Sequence, residues 1–352
     1  MNNPPAASAL NGFTGRLLMT VLVVAVALFL WAVREAVLLA FAATLLAVAV
    51  HGVADGLMKV FPLARGVALG LGALLIVAVL AATLVLFGAQ LAAEMSSILE
   101  KLPQAWDSAS QTLQSNPLGA ALVSEIQSLL SGDSGGSMSD MLTSAGGFAL
   151  PVASGVTTAL LVIFTAAFLT TSANHYVGGA LLLFPKGLDE KIANALRESG
   201  RALKKWLFGI TIDMVIIATA LAIVLWALGV PAFIGLALLA GFAQFVPTVG
   251  PLVASVPGIL LAFTVGPMTA LWTAIAYLTI SQLEANLIYP VIQKKAASIP
   301  PALNLVAILA FGMLLGPLGV LLATPILIIL VVFIAELYVK DTLGKETGIP
   351  GD

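Results

Sequence analysis

Between Asp213 and Glu284 the chain runs for 70 residues, 214–283, without a single Asp, Glu, Lys or Arg. One helical crossing of a bilayer takes about 20 apolar residues, so this run must hold several membrane-embedded segments folded against one another. Four shorter uncharged runs accompany it, from Arg16 to Arg34, Arg65 to Glu94, Asp140 to Lys186 and Lys295 to Glu336. Only 9% of the 352 residues are charged and 60% are hydrophobic, where a soluble domain carries roughly 25% charged residues. The mean hydropathy is +1.10. These features predict an all-α polytopic membrane protein whose first partner is the lipid bilayer. A net charge of −2 offers no hold on nucleic acid, and the absence of cysteine removes disulfides, thiolate metal sites and a Cys nucleophile.

Residues 1–93 read as a tail followed by three spans. Leu17–Val33 and Ala36–Ala54 form a helical hairpin turning at Arg34–Glu35, and Gly66–Ala93 is the third span. Arg16 before an apolar run resembles a signal peptide, but a second apolar run follows at once, which favours an uncleaved span. Residues 94–146 hold Glu94, Glu100, Asp107, Glu125, Asp133 and Asp140 against one base, Lys101. This stretch is expected to be a small water-facing insertion of helix and loop. Residues 147–174 supply the fourth span. Residues 175–206 contain six bases, Lys186, Lys191, Arg197, Arg201, Lys204 and Lys205, with Leu188, Ile192, Ala195, Leu196, Leu203 and Trp206 on one face. That pattern predicts an amphipathic helix on the membrane surface. The positive-inside rule places it in the cytoplasm and the acidic insertion on the opposite side of the membrane. Both termini, including the tail 341–352, then lie in the cytoplasm.

Residues 207–340 are the expected transport core. Two spans, Leu207–Gly229 and Gly266–Tyr289, are each followed by a proline-broken stretch. The first, Val230–Val265, holds Pro231, Pro247, Gly250, Pro251 and Pro257; the second, Ile299–Ala335, holds Pro300, Pro301, Gly316, Pro317, Gly319 and Pro325. Proline frees backbone groups, which hydrocarbon tolerates only where they are buried in protein or line a cavity. Two readings stand: ordinary helices with proline kinks, or two re-entrant hairpins. Hairpins put Lys294 and Lys295 on the cytoplasmic side. They also give two span-plus-hairpin units of opposite orientation, an arrangement found in transporters with a midplane substrate site.

Ionisable groups within spans are expensive, and so each is a functional candidate. Glu284 lies within a short polar cluster with Gln282 and Asn286. On a helix, Tyr277, Ser281 and Glu284 share one face, while Gln282, Asn286 and Tyr289 form a second polar stripe roughly opposite. A helix polar on both sides is expected to be surrounded by protein or water. Glu284 is then either a proton- or cation-binding carboxylate, or an interfacial acid paired with Lys294 or Lys295. Asp213 is either a second such carboxylate or an interfacial acid balanced by Lys204 and Lys205, with Thr211 and Gln244 as polar neighbours. The turns around Pro247, Thr248, Gly250 and Pro251, and around Gly316 and Pro317, are expected to leave backbone groups free for a polar solute or ion, with Asn304 and Thr324 as weaker contributors. His51 and His175 lack a second ligand at helical spacing and read as interfacial packing. Trp31, Trp206 and Trp226 are expected at membrane boundaries.

Several pieces in order resemble one family. They are Leu228-Gly229-Val230-Pro231, then Phe245-Val246-Pro247-Thr248-Val249-Gly250-Pro251, similar to an I-P-x-x-G-P turn. Gln282-Leu283-Glu284-Ala285-Asn286 with Pro290 follows, then Gly316-Pro317-Leu318-Gly319-Val320 and Ala323-Thr324-Pro325. Over Arg201–Gly344 the chain resembles the AI-2E family of bacterial inner-membrane proteins, named for autoinducer-2 export. Thr248 stands where that family commonly has an aromatic residue, and Ala285 where it commonly has Gly. The resemblance implies a homo-oligomeric permease of about eight membrane segments. It also implies a small polar cargo such as the hydroxylated furanone-type signal, or cation/proton antiport.

A secondary transporter coupled to a proton or cation is the expected function, and a channel or an oligomeric scaffold is the alternative. No Walker A motif is present for ATP-driven transport. An intramembrane enzyme is disfavoured: no His follows His175, Asp213 is the one aspartate between Asp189 and Asp341, and H-E-x-x-H is missing. No metal or other cofactor is expected.

Overall fold

A computed structural model describes residues 31–79, 149–247, 249–288 and 299–344, together with isolated positions before residue 31 and between 79 and 149. Every element among the described residues is helical. The helices are α1 (Arg34–Val60), α2 (Arg65–Val79), α3 (Ala149–Thr171), α4 (Ala173–Leu181), α5 (Leu188–Ala227), α6 (Phe233–Ala243), α7 (Val249–Phe263), α8 (Pro267–Leu283) and α9 (Pro301–Phe333). Wide π-type turns extend α8 over Glu284–Ile288 and α9 over Ile334–Lys340. Most of the acidic insertion 94–146 and of the first span Leu17–Val33, together with Thr248, Lys294 and Lys295, lies outside the described residues.

By length and composition, α1, α5 and the stretch Pro301–Lys340 are long and apolar enough to cross a bilayer. A fourth candidate is the pair Thr158–Thr171 and Ala173–Leu181, bent by 80°. The hairpin expected at Arg34–Glu35 is not a reversal. Val33 N–H donates to Phe29 O and Val37 N–H to Val33 O, at 3.0 and 3.1 Å, so helical bonding passes through the site. A single departure at Val33 (φ −98°, ψ 13°) leaves only a kink there.

The basic segment is likewise not a separate surface helix. It is the first half of α5, which runs unbroken for 40 residues into the apolar half. Its apolar face, Ile192, Ala195, Leu203 and Trp206, is buried against protein. Helix α5 therefore acts as a spine. Ala202, Leu203, Trp206 and Ile210 belong to one apolar cluster with Leu38 and Leu45 of α1 and Leu322, Leu327 and Ile328 of α9. Ile217, Leu221 and Leu225 belong to a second with Leu236 of α6, Leu261 of α7 and Tyr277 of α8. Asp213 stands at the seam.

After α5 the chain zigzags. Gly229, at φ 67°, closes α5: Gly229 N–H bonds Trp226 O and Val230 N–H bonds Leu225 O, both at 3.0 Å. This pairing satisfies the orphan carbonyls of the last turn and needs a left-handed residue, which glycine supplies. Helix α6 then returns along α5. Lipid supplies no hydrophobic drive between helices, and small residues that let backbones approach take its place. A Cβ on Gly241 would meet Met214 O at 2.9 Å, and one on Gly258 of α7 would meet the Tyr277 ring of α8 at 2.7 Å.

Helix α9 departs most from a simple span. Gly316 has φ 71° and ψ −155°, a region that only glycine occupies readily. Thr324 Oγ1 donates to Asn304 Oδ1 at 3.0 Å, whereas 20 residues of straight helix would separate them by about 30 Å. A Cβ on Gly319 would sit 2.1 Å from Phe311 O, and one on Gly312 2.8 Å from Val320 Cγ2. All three pairs centre on residues 314–316, so the arms 301–315 and 317–333 fold back on each other. The stretch is a helical hairpin with its tip at Gly316-Pro317.

Candidate functional site

Helix α5 places Asp213 on the same face as Trp206, Ile210 and Ile217, a stripe repeating every three to four residues. The turn after α6 brings Gln244 against it. Phe245 beside Gln244 seats its ring edge-on against Trp206 at 5.4 Å, which fixes the turn to α5. Trp206 is thus a buried anchor at 7% exposure rather than a residue of the membrane boundary; Trp31 and Trp226 are exposed. Helix α8 delivers Glu284 at the first residue of its π-type turns, which often accompany functional positions.

Asp213, Gln244 and Glu284 are buried, at 3, 1 and 9% exposure. The Gln244 side chain lies beside both carboxyl groups, and the two acids are close enough to sense each other's charge. Contact stops short of a closed network: Asp213 Oδ1, Gln244 Nε2 and Gln244 Oε1 have no hydrogen-bond partner among the described residues.

No described base neutralises the pair. Lys204 bonds Asp55 of α1 instead of Asp213, and Lys205 is exposed. Lys191 pairs with Asp341, Arg201 with Glu198 and Lys340 with Glu336. A buried carboxylate without a counter-charge is expensive, so the arrangement is suited to hold a proton or a cation between two acids and an amide. Among the described residues no cluster of three or more His, Asp or Glu side chains could hold a metal ion.

Other expected site residues fall elsewhere. Gln282 and Asn286 are exposed on the far side of α8 and satisfy each other, Asn286 Nδ2 donating to Gln282 O at 2.7 Å and to Gln282 Oε1 at 3.3 Å. One polar stripe of α8 is enclosed, not two. The described amides of the Pro247 turn are not free: Val246, Val249 and Gly250 N–H groups bond Ala243 O, Pro247 O and Val246 O at 2.9 to 3.0 Å. Gly250 presses on Ala243, and Pro251 is half-buried. Gly316 and exposed Pro317 form a hairpin tip, while Asn304 is spent on Thr324. His51 Nδ1 lies 2.9 Å from Ala47 O, and His175 packs edge-on against Tyr176. A crevice of about 380 Å³ between α1, α2 and α3 offers only the Thr170 and Thr171 hydroxyls, which donate back to their own helix. Thr273, fully buried one turn before Tyr277, was not signalled by polarity clustering. Extending the Glu284 stripe by helical spacing finds it.

Comparison with known proteins agrees with this architecture. The family model described as AI-2E family transporter matches residues 17–339. A Mycobacterium tuberculosis (strain CDC 1551 / Oshkosh) protein, MT0215, is 32% identical over 176 residues, which is 48% of this chain and 47% of that protein. YrrI of Bacillus subtilis (strain 168) is 28% identical over 143 residues, 41% of this chain and 40% of that protein. Both names assign the proteins to transport without stating a cargo, and the chain spans less than half the length of each. With a family match running almost end to end over an apolar chain whose described elements are all helical, this protein belongs to the AI-2E transporter family.

Proposed function

We propose that the chain carries a small polar solute across the bacterial inner membrane, its movement coupled to a proton or cation held by Asp213, Gln244 and Glu284. One observation carries this reading: two buried acids lie beside one unpartnered amide, with no described base paired to them. In this reading the cargo crosses unchanged. The family resemblance favours a hydroxylated, furanone-type signal molecule as cargo and a homo-oligomer as the working assembly, which native mass spectrometry reads directly.

Helices α6 and α7 have 11 and 15 residues and the first arm of α9 has 15, while its second arm continues through π-type turns to Lys340. At 1.5 Å per residue the three short helices reach about 16 to 23 Å, short of a hydrocarbon core of about 30 Å. We read both pairs as re-entrant hairpins flanking α8. The basic start of α5 marks the cytoplasmic side, and the Lys191–Asp341 pair draws the end of the described chain to that side.

Cation/proton exchange without an organic cargo is the second reading, favoured because the site offers two carboxyls and one amide. Proteoliposomes under an imposed pH gradient separate the two readings. Uptake of a hydroxylated solute that saturates and collapses with the gradient supports the first. Sodium-dependent proton release with no solute added supports the second. In either case Glu284→Gln and Asp213→Asn should each lower flux by roughly tenfold or more. Transport untouched by the double variant sinks the assignment of the site, and flux that never saturates indicates a channel.

A further inference from the structure

Two more buried polar atoms, Thr273 Oγ1 and Tyr277 Oη, have no partner among the described residues and lie outside the acid site. Thr273 is completely enclosed and Tyr277 is 4% exposed. At 100° per residue, Thr273, Tyr277 and Glu284 fall within about 40° of one another on α8. The two hydroxyls thus continue the wall of the acid site for roughly 16 Å toward the start of the helix. Around them stand Ala270, Leu236, Leu261 and Ala254, all apolar. Helices α6 and α7 carry no ionisable side chain. The charged groups that face this stripe among the described residues are Asp213 from α5 and Glu284 itself.

Buried polar groups in native proteins almost always find a partner, so two orphaned hydroxyls on one face of one helix call for an occupant. The space is narrow. A Cβ on Gly258 would stand 2.6 Å from Tyr277 Oη, which shows how closely the α7 backbone approaches. That approach excludes a solute of several heavy atoms on the α7 side of Tyr277, and water is the smallest occupant that can pair with such hydroxyls. Each hydroxyl both donates and accepts, which suits proton relay and is too little to hold a desolvated cation.

We propose that Thr273 and Tyr277 hold a file of water along the inner face of α8, through which protons reach and leave the Asp213–Glu284 pair. At each hop an O–H bond forms on one oxygen as another breaks on the next, and the file is restored once its waters reorient. The proton's destination rests on the coupling proposed above; the hydration does not.

Radiolytic footprinting of the full chain in lipid nanodiscs tests the file, because radicals born from bound water oxidise the side chain beside it. Tyr277 should be oxidised at a rate comparable to Tyr338, which is 56% exposed. A Tyr277 that stays unmodified overturns the proposal. Thr273→Val keeps the shape and removes the hydroxyl; it should cut Tyr277 oxidation and proton flux roughly tenfold, with Thr273→Ser restoring both. Loss in the Val and Ser variants alike marks a packing role and also overturns it. If the wild-type chain moves no protons while Tyr277 is oxidised, the coupling reading fails and the hydrated file stands.

Discussion

Gln244 joins two acids that lie 71 residues apart in the chain, and it does so with both polar atoms unsatisfied. Removing a buried polar group that lacks a partner is nearly neutral for folding, whereas stranding one costs about 1–3 kcal/mol. Gln244→Leu should therefore shift the melting midpoint by no more than ~1 kcal/mol equivalent while lowering transport sharply. Thermal melts run beside flux assays check this, and a large stability loss would assign Gln244 to folding instead. Gly250 gives the opposite result. A Cβ there would collide with the Ala243 carbonyl, so Gly250→Ala should prevent the turn from closing and remove folded protein. The candidacy of Asp213 and Glu284 was legible in the sequence, because charge inside an apolar run is conspicuous. Their meeting was not, and neither was the mutual satisfaction of Gln282 and Asn286, since both depend on which face of α8 turns inward.

Proline and glycine punctuation marked the broken elements, and the geometry shows what kind of break each one is. Around residues 243–250 the chain folds into two short helices; around Gly316 it folds back on itself, with Asn304 and Thr324 bonded across the arms. A kinked helix and a helical hairpin have the same composition, so hydropathy alone left both open. The Cys-free background makes the fold-back testable. Asn304→Cys with Thr324→Cys should be joined by a short bifunctional reagent, which positions some 30 Å apart on a straight helix cannot be. Gly316→Ala should destabilise by about 1–3 kcal/mol, because its φ and ψ lie where a side chain is strained. The breaks were thus visible at Pro and Gly, but their angles were not. At Arg34–Glu35 the charges suggested a reversal where continuous hydrogen bonds allow only a kink.

Across the whole molecule, α5 ties the parts together through its two apolar clusters and two ionic contacts, Lys204 with Asp55 and Lys191 with Asp341. The paired side chains are 37 to 47% exposed, and pairs of that kind contribute about 0–1 kcal/mol. Lys191→Ala and Lys204→Ala should each shift stability by no more than ~1 kcal/mol, a shift that shrinks further in high salt. A larger loss would mean that these contacts hold the fold and not merely its orientation. The sequence by itself determined that the chain is helical, lies in a membrane and carries a few buried charges, because hydropathy and proline placement act locally and add along the chain. Only the tertiary structure decided that Asp213, Gln244 and Glu284 lie together, with Thr273 and Tyr277 buried along the Glu284 face of α8. Close approach at Gly241 and Gly258 and the seating of Phe245 on Trp206 set that register, and such packing has no signature in any single segment.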